Sequence, residues 1–138
     1  MTVRYMLDTD TVSYALRGMG EVGARLLERR PSEVSVSALT VAELRFGAER
    51  RKSKRLHALI DSFCAGVNVL PFNERAAARF GVVGAALAAR GAPIGPIDTL
   101  IAAHALAEDL TFVTNNARHF SRVAGLRTEN WAEPAKAA

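Results

Sequence analysis

Cysteine is nearly absent from this 138-residue chain, and Cys64 stands alone. No internal disulfide can form, so Cys64 reads as buried packing and the chain suits a reducing compartment. Lysine is almost as scarce, 3 residues against 15 arginines, and the 3 histidines are His57, His104 and His119. None of them has a partner at the spacing of a zinc site. No run approaches the ~20 apolar residues of a membrane helix, which excludes a span of that kind. Arg4 and two acids arrive before any apolar leader core could form. Cytoplasmic residence, away from the membrane, is the expectation.

What is present is the composition of a globular protein: 49% hydrophobic residues, 23% charged, with a formal charge of +4. A chain of this length buries roughly two-thirds of its unfolded surface, enough for one sizeable core. One domain over residues 1–131 is expected, followed by a disordered tail, Ala-Glu-Pro-Ala-Lys-Ala-Ala, at 132–138. The positive balance permits a polyanionic partner without requiring one. Residues 50–55, Arg-Arg-Lys-Ser-Lys-Arg, read as a solvated helix end that could also meet a phosphate backbone.

Along the chain, short apolar runs alternate with helical patterns. Strands are predicted at Val3–Leu7, Val34–Val36, Val67–Leu70, Thr111–Thr114 and Leu126–Glu129. Between them, helical spacing covers Val12 to Gly18, Val22 to Arg30 with Pro31 as its stop, Ser37 to Arg51, Leu56 to Ala65, Glu74 to Arg90, and Pro96 to Asp109. This alternation predicts an α/β fold, a parallel sheet covered on both faces. Ligands of such sheets bind outside the carboxyl ends of the strands, at a topological switch point.

The informative side chains fall at those ends. Asp8 and Asp10 follow the first strand, Glu43 lies one helical turn past the second, Asp98 opens a helix, and Asn115 and Asn116 follow Thr114. Each has a plainer explanation. Asp10 is favoured as a helix N-cap, Glu43 closes a capping box with Thr40, Asp98 suits a helix dipole, and the asparagines suit a turn. Glu43 shares a helix face with Leu39, Ala42 and Phe46, where a carboxylate is costly without a partner. His104, at helical spacing from Ile97, Leu100 and Ile101, reads as core or rim packing. Taken together, three or four carboxylates converging on one mouth would repel one another unless a cation met them. Oxygen-only donors select Mg²⁺ or Mn²⁺, and such an ion activates water against a phosphate ester. Phosphodiester hydrolysis is the chemistry these residues suggest.

Four stretches, Leu7-Asp-Thr-Asp-Thr11, "SALTVAELRFGA" at 37–48, "PIGPIDTLIAAHAL" at 93–106 and "TFVTNNARHFSRVAGLRTENW" at 111–131, resemble a PIN-domain ribonuclease of the VapC toxin type. The resemblance spans essentially the whole chain. It implies an α/β/α sandwich around a central parallel sheet of four to five short strands. It also implies a Mg²⁺-dependent endoribonuclease, a homodimer, and a cognate VapB-type antitoxin that blocks the site. By the same resemblance the catalytic acids are Asp8, Glu43 and Asp98, with Asp8 and Asp98 holding the metal and Glu43 serving the attacking water. The fourth acidic position falls on Asn116, a departure, since an amide ligates or orients water without a negative charge. Thr114, Asn115 and Arg118 are candidate outer contacts to metal or RNA. Similar toxins carrying Thr-Asn-Asn cut initiator tRNA in its anticodon loop, which makes tRNA the expected substrate. The antitoxin is expected to lay an amphipathic segment near Leu16, Leu26 and Leu27.

Two other readings follow from the same residues. Asn116 raises that of an RNA-binding protein with impaired catalysis. Asp8-Thr-Asp10-Thr11 matches the nucleophile motif of a haloacid-dehalogenase phosphatase, but the lysines are only Lys52, Lys54 and Lys136, and no Gly-Asp pair occurs.

Overall fold

The computed structural model describes residues 2–134. Five parallel strands form one sheet, β1 (Tyr5–Leu7), β2 (Val34–Ser37), β3 (Asn68–Leu70), β4 (Thr111–Val113) and β5 (Thr128–Glu129), in the order β3-β2-β1-β4-β5. The helices are α1 (Thr9–Arg17), α2 (Val22–Leu27), α3 (Ala38–Arg50), α4 (Lys54–Ala65), α5 (Glu74–Ala89), α6 (Pro96–Ala107) and α7 (Ala117–Phe120). The α/β/α sandwich is therefore the observed architecture. Among the described residues no helix is long and apolar enough to cross a membrane.

Alternation along the strands divides the core in two. Met6 and Phe112 face a cluster with Val83, Leu87 and Ile101, under α5 and α6. Tyr5, Leu7 and Val113 face the other cluster, with Val12, Leu44, Ile60 and Trp131. Both faces of β1 are thus covered, which is why its three residues read as a continuous apolar run. Full burial of side chains such as Met6, Leu7 and Phe112 contributes roughly 1.5–3 kcal/mol each.

Helix starts follow local chemistry. Ser37, Ser53 and Asn73 accept from the backbone N–H of Leu39, Leu56 and Ala76 at 3.1, 3.0 and 3.1 Å. Pro31 does not stop a helix running to Arg30. Helix α2 ends at Leu27, and Pro31 instead opens a 3-10 turn, Pro31–Glu33, because its fixed φ suits a first helical position. The helix α7 was not evident in the sequence, being a single turn. Cys64, expected buried, is only half-buried against the Leu7 cluster, and burial pushes its thiol up.

The chain end is held down by Trp131. Its ring meets Tyr5 edge-on at 5.1 Å, Arg29 lies over both rings, and Nε1 donates to Glu129 at 2.9 Å. The next carbonyl, of Ala132, accepts from Glu21 N at 3.0 Å. Of the tail expected from 132, residues 135–138 lie outside the described residues.

Gly20 has φ +63°, and a Cβ there would come within 2.7 Å of the Ala132 carbonyl oxygen; Gly18, with φ +66°, faces open space. Gly18→Ala is expected to cost roughly 1–2 kcal/mol from backbone strain alone. Gly20→Ala should cost more, because it also displaces the Ala132 contact. Thermal denaturation checks this: equal Tm values for the two variants would show that the segment after Trp131 adds nothing to the fold.

Candidate active site

Strand β1 has β2 on one side and β4 on the other, so the sheet's order reverses about it, and its carboxyl end is a switch point. Asp8 is the residue that follows. Its backbone N–H continues the ladder to Val113 O at 2.9 Å, which sets the side chain at the seam between β1 and β4. The carboxylate accepts from Thr11 N at 2.8 Å and so caps α1. The favoured cap, Asp10, is in fact exposed in the first turn. Helix α1 starts at Thr9, directly after Asp8 and ahead of the expected Val12, so Asp10 falls inside its first turn.

Asp8 is only 6% exposed. Burial pushes its carboxyl above the ordinary aspartate range, and nearby Asp10 adds to this. Hydrogen bonds from Thr114 and Thr11 pull partly back. Thr114 itself is buried just past β4, and its hydroxyl oxygen also accepts from Asn116 N at 3.0 Å. Asp8, Thr11, Thr114 and the Asn116 backbone therefore form one connected group.

Glu43 is met by a different partner from the one its sequence suggests. Ser37, not Thr40, caps α3, so no capping box forms. Instead the Thr9 hydroxyl lies 2.5 Å from Glu43 Oε1 and 3.3 Å from the Thr40 hydroxyl, and its single proton goes to the carboxylate. This bond ties the first residue of α1 to the second turn of α3. On one side Glu43 borders a cavity of about 160 Å³ with Ser13, Leu16, Arg17 and Arg51. On the other, with Leu39, Ala42, Phe46, Ile97 and Leu100, it borders one of about 440 Å³ between α3 and α6.

Asp98 stands in the first turn of α6, half-exposed, with Oδ2 at 3.2 Å from His119 Nε2. The same nitrogen lies 3.1 Å from Ile94 O. Facing two oxygens, Nε2 must carry the proton and donate. His119 is thus a site residue that sequence spacing missed, 21 residues from its partner on another helix. Asn115 and Asn116 open instead onto a polar cavity of about 630 Å³ with Asp10, Tyr14 and Asn130. Arg118 is exposed on α7, with no side-chain partner among the described residues. His104 is a core histidine: fully buried, with Nδ1 at 2.8 Å from Ser37 Oγ and its pKa lowered by burial.

The expected convergence of three or four carboxylates is not seen. Among the described residues no three His, Cys, Asp or Glu side chains group closely enough to hold a metal ion. Each acid is met by its own donor instead: Asp8 by the Thr11 amide, Glu43 by the Thr9 hydroxyl, Asp98 by the His119 ring. The donor chemistry nonetheless fits a hard cation. Asp8 is a buried carboxylate whose charge is disfavoured without one, its neighbours are oxygen donors, and His119 offers a proton, not a lone pair.

The PIN domain family model matches residues 5–126. The chain is 36% identical over 131 residues to the tRNA(fMet)-specific endonuclease VapC of Shigella flexneri, covering 94% of this chain and 99% of that protein. It is 40% identical over 130 residues to a ribonuclease VapC of Haemophilus influenzae, covering 94% and 98%. The fold superposes on a chain of the DNA-bound VapBC crystal structure from Salmonella typhimurium with a TM-score of 0.88, at 35% identity and 94% and 98% coverage. The phosphatase reading of Asp8 and Asp10 is thereby set aside.

Because the folded Asp8 carboxyl holds its proton more tightly than the unfolded one, protonation favours the fold. That contribution is fully present below the ordinary 3.8 and is lost as pH rises through the raised folded value. Asp8→Asn keeps a cap and carries no charge. In chelator, its Tm relative to wild type should therefore climb as pH rises from below 4 to 7. A Tm difference independent of pH would contradict the burial argument.

Proposed function

The chain belongs to the PIN-domain family, among its VapC-type ribonucleases, and from this we propose that it is a metal-dependent endoribonuclease toxin that cuts tRNA. The observation that carries the reading is the buried Asp8 carboxylate at the switch point, a negative charge built into a place that disfavours it. Asp8 and Asp98 are the residues that would hold Mg²⁺, or Mn²⁺ in its place. When bound, such an ion polarises the phosphodiester and lowers the pKa of water.

The protein's own part is positioning. Thr9 occupies Glu43 Oε1 and leaves Oε2 to orient an attacking water and take its proton. His119 fixes the rotamer of Asp98 by donating to Oδ2. Asn116, joined through its backbone to Thr114, would offer an amide to water or to the substrate without adding charge. Arg118, exposed beside it and without a side-chain partner among the described residues, is suited to a phosphate.

The partners belong to the same reading. Solved structures similar to this chain are VapBC complexes, and a VapB-type antitoxin is the proposed inhibitor here. Leu16, with Arg17 and Arg51, lines the cavity beside Glu43 that such a segment would enter, whereas Leu26 packs against the core and Leu27 is exposed. A homodimer would cover Phe46 and Ile97, which are 65% and 44% exposed on the α3–α6 face. Residence in the cytoplasm, where tRNA is found, completes the proposal.

Incubation of the purified protein with total tRNA, in Mg²⁺ or EDTA, beside Asp98→Asn, tests it. Discrete cuts that need both the metal and Asp98, that fall in initiator tRNA and that stop on adding the cognate antitoxin are expected. The preparation should elute from size exclusion at about twice the chain's mass, as a two-chain assembly. Intact tRNA in every lane, at concentrations where RNA is bound, would overturn the enzyme and leave an RNA-binding protein, the reading that Asn116 favours.

A further inference from the structure

Helix α5 and the turn after α7 enclose a groove of about 310 Å³ on the α5–α6 side of the sheet. Its lining contains three arginines, Arg79, Arg90 and Arg122, no acid, and otherwise apolar side chains, among them Val82 and Val123. The charge of these arginines is not neutralised from within. Arg90 donates to the Arg122 carbonyl, and Arg122 Nη1 donates to Pro93 O at 3.2 Å, so both guanidiniums are met by neutral acceptors. Arg79 has no partner among the described residues. Three cations around one cleft, without a carboxylate, attract an anion.

Neighbouring carbonyls link the groove to the candidate active site. Pro93 O accepts from Arg122, while the next carbonyl, Ile94 O, accepts from His119, whose same nitrogen meets Asp98. The Pro93–Ile94 segment thus places the arginine groove next to His119 and Asp98. The floor matters as much as the rim. Val82 is 65% exposed, offering an apolar surface on which a base can lie while its phosphate meets arginine. An inorganic anion would have no use for that floor.

We propose that this groove binds the RNA strand flanking the bond that is cut, with backbone phosphates along Arg79, Arg90 and Arg122 and a base on Val82. The proposal rests on the RNA-cleaving reading above and adds where the strand runs.

Arg79→Glu tests it, since the exposed Arg79 side chain makes no bond among the described residues and Glu is as good a helix former. Binding of tRNA is measured in EDTA across a salt series, and cut positions are mapped in Mg²⁺ at saturating RNA. Arg4→Glu, at the opposite end of β1 with Glu33 3.9 Å away, makes the same charge change as a control. For R79E, weaker tRNA binding is expected, with a log–log salt slope shallower by about 0.7 and an unchanged cut position. R4E should bind as wild type does. Equal losses in both variants, or none in R79E, would overturn the groove assignment. So would an R79E that binds RNA normally but loses the antitoxin, since the groove would then belong to a protein. Wild type that cuts no RNA overturns the enzymatic reading as well, whereas cutting with an indifferent R79E overturns this one alone.

Discussion

The arrangement depends on one buried charge. Asp8 ends the central strand, caps α1 and sits at the seam between β1 and β4, where the apolar sandwich opens. A carboxylate in that position costs stability, because burial disfavours its ionised form more than the hydrogen bonds from Thr114 and Thr11 favour it. A serine or asparagine would cap the helix without that cost. The charge is best understood as a functional demand that the surrounding fold is stable enough to carry.

Around Asp8 the fold distributes the remaining acids by giving each a partner on another element. Thr9 reaches from α1 to Glu43 on α3, and His119 reaches from α7 to Asp98 on α6. These bonds fix each carboxylate across two elements without bringing three of them together among the described residues. The same α7 turn joins this site to the arginine groove, since Pro93 and Ile94 serve one each. Acids on one side of the Pro93–Ile94 segment and arginines on the other suit the proposed attack on a polyanion.

Much of this was legible in the sequence, and the exceptions have physical causes. Strand alternation with helical spacing was enough for the α/β class, and buried strands such as Tyr5–Leu7 betray themselves as unbroken apolar runs. The acids were legible as candidates because they follow strand ends. Their partners were not. Two acids one residue apart can each cap a helix, and only the ladder bond from Asp8 N to Val113 O decides between them. Thr40 and Glu43 satisfy a local capping pattern, yet Ser37 starts the helix and a threonine 34 residues away takes the carboxylate. His119 carries no local signal, because its role is defined by Asp98 and by Ile94 O across space. Local periodicity reports what an element buries; it is silent on which polar groups meet across elements.

The central claim is that the buried Asp8 charge is there for a cation. The most direct measurement is the thermal stability of wild type and Asp8→Asn across a Mg²⁺ titration. A cation that binds only the folded site must raise Tm with concentration in wild type. That rise is expected in wild type and is expected to be lost in Asp8→Asn. Identical responses of the two proteins to Mg²⁺ would contradict it, and Asp8 would then be a helix cap and nothing more.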